Sequence, residues 1–182
     1  MHAMATVSMT SCDVTDDIVS SPYGRRPNQG EMGAMGEGGR DAAALAVRCI
    51  QAIADKDLAA LRELFADDGK WELAYGLSGL SDAQRTVHGG DKVALFHRGL
   101  NAVIERVTFP HVEAFAVNED LAFVEFRSDA VTTKGKAYGN YYVAKVSAKD
   151  GRITHWVEFF DPRPAEMVRA DLADSRSSGE SR

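Results

Sequence analysis

The stretch Lys136 to Pro162, KAYGNYYVAKVSAKDGRITHWVEFFDP, constrains the fold more than any other part of the chain. Alternation through Tyr138, Asn140, Tyr142, Ala144 and Val146 breaks at Lys149-Asp150-Gly151-Arg152, and β-branched and aromatic residues resume from Ile153 to Phe160. A dyad period on both sides of an Asp-Gly is a hairpin pattern: two long strands and a tight turn. Successive side chains of a strand face opposite ways, so Trp156, Glu158 and Phe160 share one face while Ile153, His155, Val157 and Phe159 share the other. Both faces are largely apolar. Such a sheet needs helices over one face and a further cover, such as a second subunit, over the other. Glu158 is the exception within its face. A carboxyl between two aromatics points either to chemistry or to a buried or rim ion pair without a role.

The whole chain is compatible with one domain that has a real core: 182 residues, 45% hydrophobic and 26% charged. A net charge of −6 without a basic stripe argues against nucleic acid and anionic membranes as partners. No apolar run approaches the length of a membrane span, and the N-terminus is polar where a secretory signal needs an apolar block, so the expected location is the cytoplasm. Cys12 and Cys49 form neither a disulfide framework nor a metal spacing, and Cys49 reads as a small core residue on a helix face.

Residues 1–39 show no sustained period and end in GEMGAMGEGG; they read as a disordered lead-in whose deletion should leave the melting temperature in place. The domain proper is expected over 40–170, with a polar tail over 171–182. Leu45, Cys49 and Ile53 recur at helical spacing from Asp41 to about Ala54, and Asp57 is placed to cap a second helix, Leu58 to Phe65, stopped by Asp67-Asp68-Gly69. Trp71 to Tyr75 is a short strand, followed by a Gly/Ser-rich loop suited to a pocket lid. After His88-Gly89-Gly90, Asp91 is placed to cap a third helix with Val93, Phe96 and Leu100 inward. Strands follow over Val103 to Phe109, His111 to Val117, Leu121 to Val131 and the hairpin, with Pro110 between the first two; Asp161-Pro162 ends the sheet before a short helix. Helices first and antiparallel strands after them mean α+β: helices on one face of a strongly curved antiparallel sheet that closes into a cone, whose mouth is the natural site for a small molecule.

The runs CIQAIADKDLAALRELFADDGKWEL and AYGNYYVAKVSAKDGRITHWVEFFDP, with the His-Gly-Gly before the third helix, resemble the SnoaL-like branch of the NTF2-like superfamily over about Asp41 to Val168. The resemblance implies the NTF2-like cone. It does not choose among cyclases, isomerases, dehydratases and other lyases, epoxide hydrolases and non-catalytic binding or assembly modules. The tyrosine and aspartate of ketosteroid isomerase correspond to Cys49 and Leu73, which argues against that chemistry. Limonene epoxide hydrolase offers a partial match: its Arg-x-Asp resembles Arg127-Ser128-Asp129, and its last-strand motif resembles Trp156-Val157-Glu158-Phe159-Phe160-Asp161, with glutamate replacing aspartate. Two further positions that hold water in that family fall on Trp71 and Leu73.

These residues make a candidate site with Glu158, Asp129 and Arg127 as catalytic groups and Trp71, Asn140, Tyr142, Trp156, Phe160 and Asp161 around the substrate. An arginine beside one carboxylate lets two carboxyls titrate apart, one as base and one as acid. The middle strand has a second possible register, in which Phe126 and Ser128 face the pocket and Arg127 and Asp129 form a surface pair; the apolar set Ala122, Val124 and Phe126 favours it. Asn140 and Tyr142 either orient a ligand or satisfy nearby backbone, and Asp161, at a strand end before proline, reads more as a cap or turn residue than as a catalytic group. His88, His97, His111 and His155 lack ligand spacing, so no metal and no cofactor is expected, and the scattered histidines read as structural. The resulting expectation is an acid/base enzyme for an apolar, cyclic or polyketide-like molecule, working as a homodimer; the alternative is a binding or assembly module.

Overall fold

The structure, a computed structural model, describes residues 41–179. The sequence reading for residues 1–39 lies outside the described residues. Helix α1 (Ala42–Ala54) starts where Asp41 accepts a hydrogen bond from the Ala44 amide, and α2 (Leu58–Leu64) starts where Asp57 does the same for Ala60. Strand β1 (Phe65–Leu73), a 3-10 turn (Asp82–Arg85), β2 (Thr86–His88) and α3 (Gly90–Asn101) follow, and then β3 (Ile104–Asn118), β4 (Leu121–Thr132), β5 (Ala137–Lys149), β6 (Arg152–Phe160) and α4 (Pro162–Gly179). Among the described residues no helix is long and apolar enough to cross a membrane.

The strands form one sheet in the order β2-β1-β6-β5-β4-β3. All neighbours are antiparallel except β1 and β6, which run parallel. This is the expected α+β architecture: helices cover one face of an open, curved, mainly antiparallel sheet. The β5–β6 hairpin turns at Asp150 and Gly151, both at positive φ (53° and 72°), the backbone that a two-residue hairpin turn demands. Helix α1 packs across β3, β4 and β5, and its Leu45, Cys49 and Ile50 meet Ala122, Val124, Ala144 and Val146 in the main core. Leu45, Phe65 and Trp156 are almost wholly buried, each worth about 2 kcal/mol by area.

Several local expectations are corrected. Pro110 does not divide two strands, because β3 is an edge strand: its missing N–H leaves no ladder bond unmade, and the register simply shifts between Thr108 and His111. Asp67-Asp68-Gly69 is an irregularity inside β1 rather than a helix stop. A Cβ at Gly69 would lie 2.8 Å from the Ile153 carbonyl oxygen and 2.9 Å from that of Ala66, so only glycine lets β1 approach β6 there. A register shift between Ser147 and Ala148 turns Ile153 inward beside Trp156, not outward with His155. Helix α3 follows Gly89 as its N-cap, and Asp91 instead pairs with Arg62 from the first turn. Helix α4 runs to Gly179, past the expected start of the tail, and Asp171 on it takes Lys134 and Lys136 as partners.

Candidate functional site

The inner face of the sheet changes character along its length. At the end under α1 the facing pairs are Ala122 with Val146 and Val124 with Ala144, small residues that let the helix sit close. Toward the other end the pairs become Phe126 with Tyr142, Ser128 with Asn140 and Ala130 with Tyr138. Here the sheet curls away from the helices and leaves a cavity of about 710 Å³, a volume suited to a drug-sized molecule. Strands β1 and β4 to β6 supply Trp71, Leu73, Phe126, Tyr142, Glu158 and Phe160. Helix α3 contributes Phe96, His97 and Leu100. Leu77 and Leu80 of the loop after β1, together with Ala165, Glu166 and Val168 of α4, border it as well, and the Ser78 amide donates to Glu166 (2.6 Å) to join loop and helix.

Glu158 is buried in this wall, facing Ala144 across the β5–β6 ladder. Trp156 Nε1 donates to its Oε2 at 3.2 Å. Burial outweighs that hydrogen bond and pushes the carboxyl up to about 7, so near neutrality it exists in both forms and can give or take a proton. Trp156 itself is fixed by stacking on Trp71 at 4.9 Å. The Cys49 thiol, on the buried face of α1, is held well above its usual range by burial and secondarily by the charge of Glu158.

A chain of hydroxyls lines the same wall. Tyr142 Oη lies 3.3 Å from Ser128 Oγ and 2.8 Å from Tyr138 Oη, and Ser128 Oγ accepts the Asn140 amide at 3.1 Å. The Tyr142 ring stacks on Phe126 at 4.7 Å, almost parallel. Both phenols are raised above their usual range, chiefly by burial. Sequence reasoning missed Tyr138 and Ser128 as a unit with Tyr142, though all three fall on one face once β4 is paired to β5.

Sequence reasoning also set aside His97. It is buried on α3, edge-on to Trp71 with ring centroids 4.7 Å apart, and burial lowers its pKa to about 3, so the imidazole is neutral. Its Nε2 and the indole Nε1 of Trp71 have no hydrogen-bond partner among the described residues. The signal was present in helical spacing, since His97 stands one turn after the inward Val93.

Other expected members are not gathered there. Arg127 and Asp129 point to the outer face, where Arg127 lies over the Tyr141 ring at 5.2 Å, while Phe126 and Ser128 face the cavity. The apolar alternation of β4 decides this register. The pocket placement of Arg127 and Asp129 is therefore corrected, and with it the triad they formed with Glu158. Asn140 is inward but occupied: its Nδ2 donates to the Asp161 carbonyl (2.7 Å) and its Oδ1 accepts from the Tyr141 and Asp161 amides. Asp161 caps the start of α4, accepting from the Arg163 amide and guanidinium, which hold its carboxyl below the usual range. Arg127, Asn140 and Asp161 border a second hollow of about 530 Å³ outside the main cavity.

An α+β cone with an acid-bearing apolar cavity between sheet and helices defines a class of small-molecule-binding domain. The model of the SnoaL-like domain matches residues 46–156, and the chain belongs to that family, within the NTF2-like superfamily. Solved structures share the fold. A candidate isomerase from Bacillus subtilis superposes with a TM-score of 0.62 at 16% identity, covering 71% of this chain and 93% of its own. A candidate polyketide cyclase from Pseudomonas putida KT2440 gives 0.58 at 16% identity, covering 68% and 94%. An LEH-like epoxide hydrolase from M. tuberculosis gives 0.50 at 18% identity, covering 73% and 90%. Comparison with curated proteins finds no match.

Proposed function

We propose that this protein is a cofactor-independent acid/base enzyme acting on a small apolar molecule, cyclic or polyketide-like, with Glu158 as the proton-transferring group. The observation that carries this reading is a buried carboxyl, poised near neutrality, in the wall of a cavity large enough for such a molecule. Its aromatic lining from Trp71, Phe126, Tyr142 and Phe160 suits a flat ring system. Cyclisation, isomerisation and dehydration all need a proton moved at carbon or oxygen inside a dry site, and the names of the structural neighbours fall in this range. Epoxide opening of the Arg-x-Asp kind loses support because Arg127 and Asp129 stand outside the cavity.

A direct test uses 2-tetralone, a small ketone with exchangeable protons beside its carbonyl, in D₂O. Faster exchange with the wild-type protein, lost in Glu158→Gln while the fold is kept, supports the reading; equal exchange by both forms refutes it. A second reading, a binding or assembly module without turnover, is favoured by Leu73, an apolar side chain on the cavity wall where ketosteroid isomerase carries its base. We further propose a homodimer through the outer sheet face, where Phe115, Phe123, Tyr141 and Val143 are exposed.

A further inference from the structure

We propose that the turn over residues 77–80 is a gate over the cavity, latched to α4 through Ser78 and Glu166, and that a small molecule enters and leaves between turn and helix. The gate serves a molecule that is only held as well as one that is turned over, so it stands apart from the acid/base reading. Most of the cavity wall is held by the structure around it. The strands of the sheet are joined along their ladders, and α3 is fixed by the buried Val93 and His97. Helix α4 is anchored along its length: Asn140 holds the Asp161 backbone at its start, Val168 packs against Val103, Ile104 and Ala130, and Asp171 lies 3.0 Å from both Lys134 and Lys136. The helix is the jamb, and the turn is the door.

The turn is built to move. The Leu80 amide donates to the Leu77 carbonyl at 3.1 Å, and Gly79 takes a φ of 77°, which the third residue of such a turn requires and which a side chain resists. Ser78 and Gly79 are exposed above, while Leu77 and Leu80 are half-buried below and line the cavity. A segment outside the sheet ladders, with two leucines as its underside, opens at low free energy. Its tie to the jamb is short and charged. The Ser78 amide donates to Glu166 Oε1 at 2.6 Å, and Arg169 Nε donates to Oε2 at 3.1 Å, which keeps the carboxylate facing the turn. The bonds from Ser78, chiefly that of its amide, hold the Glu166 carboxyl below its usual range, so the contact is charge-assisted. Once it breaks and the turn swings outward, Leu77 and Leu80 withdraw, and the passage left behind is bordered by Ala165 and Val168 of α4. A passage with apolar sides suits the same molecules as the apolar lining within.

The test is acrylamide quenching of tryptophan fluorescence in the full chain. Its two tryptophans report on the cavity: Trp71 lines it, Trp156 stacks on Trp71, and both are buried. Acrylamide reaches them as often as the gate opens, so the quenching constant follows the open population. Glu166→Ala removes the latch and should raise that constant about fivefold, the size of one net hydrogen bond. Gly79→Ala should raise it by a similar factor: its Cβ meets no atom within 4 Å, so it opposes the closed turn through φ alone. Asp57→Ala removes the cap of α2, costs about as much stability and should leave the constant unchanged. In wild type, amides 77–80 should exchange hydrogen faster than amides 165–171, a measurement that needs no variant to fold. Quenching unchanged in either Glu166→Ala or Gly79→Ala, an equal rise in Asp57→Ala, or exchange in the turn no faster than in α4 overturns the proposal.

Discussion

Glu158→Gln replaces the buried carboxyl by a neutral group of the same shape, and the structure sets how much stability should change with pH. The carboxyl titrates at about 7 in the folded protein against an ordinary value of 4.5. Below pH 4.5 it is protonated in both folded and unfolded chains and contributes no pH dependence. Between 4.5 and about 7 the folded chain keeps the proton that the unfolded chain releases, so wild-type stability falls as pH rises. Above about 7 the loss is complete, and at 1.36 kcal/mol per pH unit it amounts to about 3 kcal/mol. The glutamine variant has no such loss. Urea unfolding of both proteins from pH 4 to 8.5 should therefore show curves that coincide in slope at the acid end and part through this window, with wild type the poorer by about 3 kcal/mol at pH 8. Carbon-13 NMR of the Glu158 carboxyl gives the midpoint directly. Parallel stability curves, or a midpoint near 4.5, would place the carboxyl in water and remove the basis for acid/base chemistry. Arg127→Ala should leave the midpoint unmoved, because Arg127 lies on the opposite face of the sheet.

Other outcomes follow from single contacts. Gly69→Ala should destabilise the protein by about 1–3 kcal/mol in urea unfolding, since its Cβ meets two carbonyl oxygens of backbone that cannot withdraw. Asp171→Ala should leave the core intact but raise hydrogen exchange in α4, because it removes the partner of Lys134 and Lys136 that ties the helix to the β4–β5 hairpin. Val143→Glu should convert a dimer to a monomer in sedimentation at micromolar concentration without lowering the melting temperature of the domain; wild type sedimenting as a monomer refutes the outer-face interface.

Elements with strong periodicity were legible in the sequence. The hairpin, α1, α2 and the Asp57 cap of α2 depend on neighbours within a few residues, and a one-dimensional pattern contains those neighbours. The division of β3 at Pro110 and the outward placement of Ile153 were misread because both turn on the sheet around them. A proline is tolerated on an edge strand, and a strand's alternation can be reset by a bulge against its partner. Neither edge position nor bulge is written in the local residues.

The site divides the same way. Glu158 announced itself as one carboxyl in an apolar face, whereas Arg127 and Asp129 drew attention through likeness to a motif while the alternation Ala122, Val124, Phe126 already turned them outward. Physical pattern and motif disagreed by one residue, and the pattern prevailed because reversing β4 would bring two charges into the core in place of Ala122, Val124 and Phe126. His97 was harder to see, since what distinguishes it is what it lacks, a partner for a buried ring nitrogen. Satisfied polar groups stabilise a fold and need no ligand. The unpartnered nitrogens of His97 on α3 and Trp71 on β1 border a single cavity, with Glu158 in the sheet wall of the same space. A core built only for stability would have filled those positions with apolar side chains at no polar cost, as it did at Ala122, Val124, Ala144 and Val146 farther along the same strands.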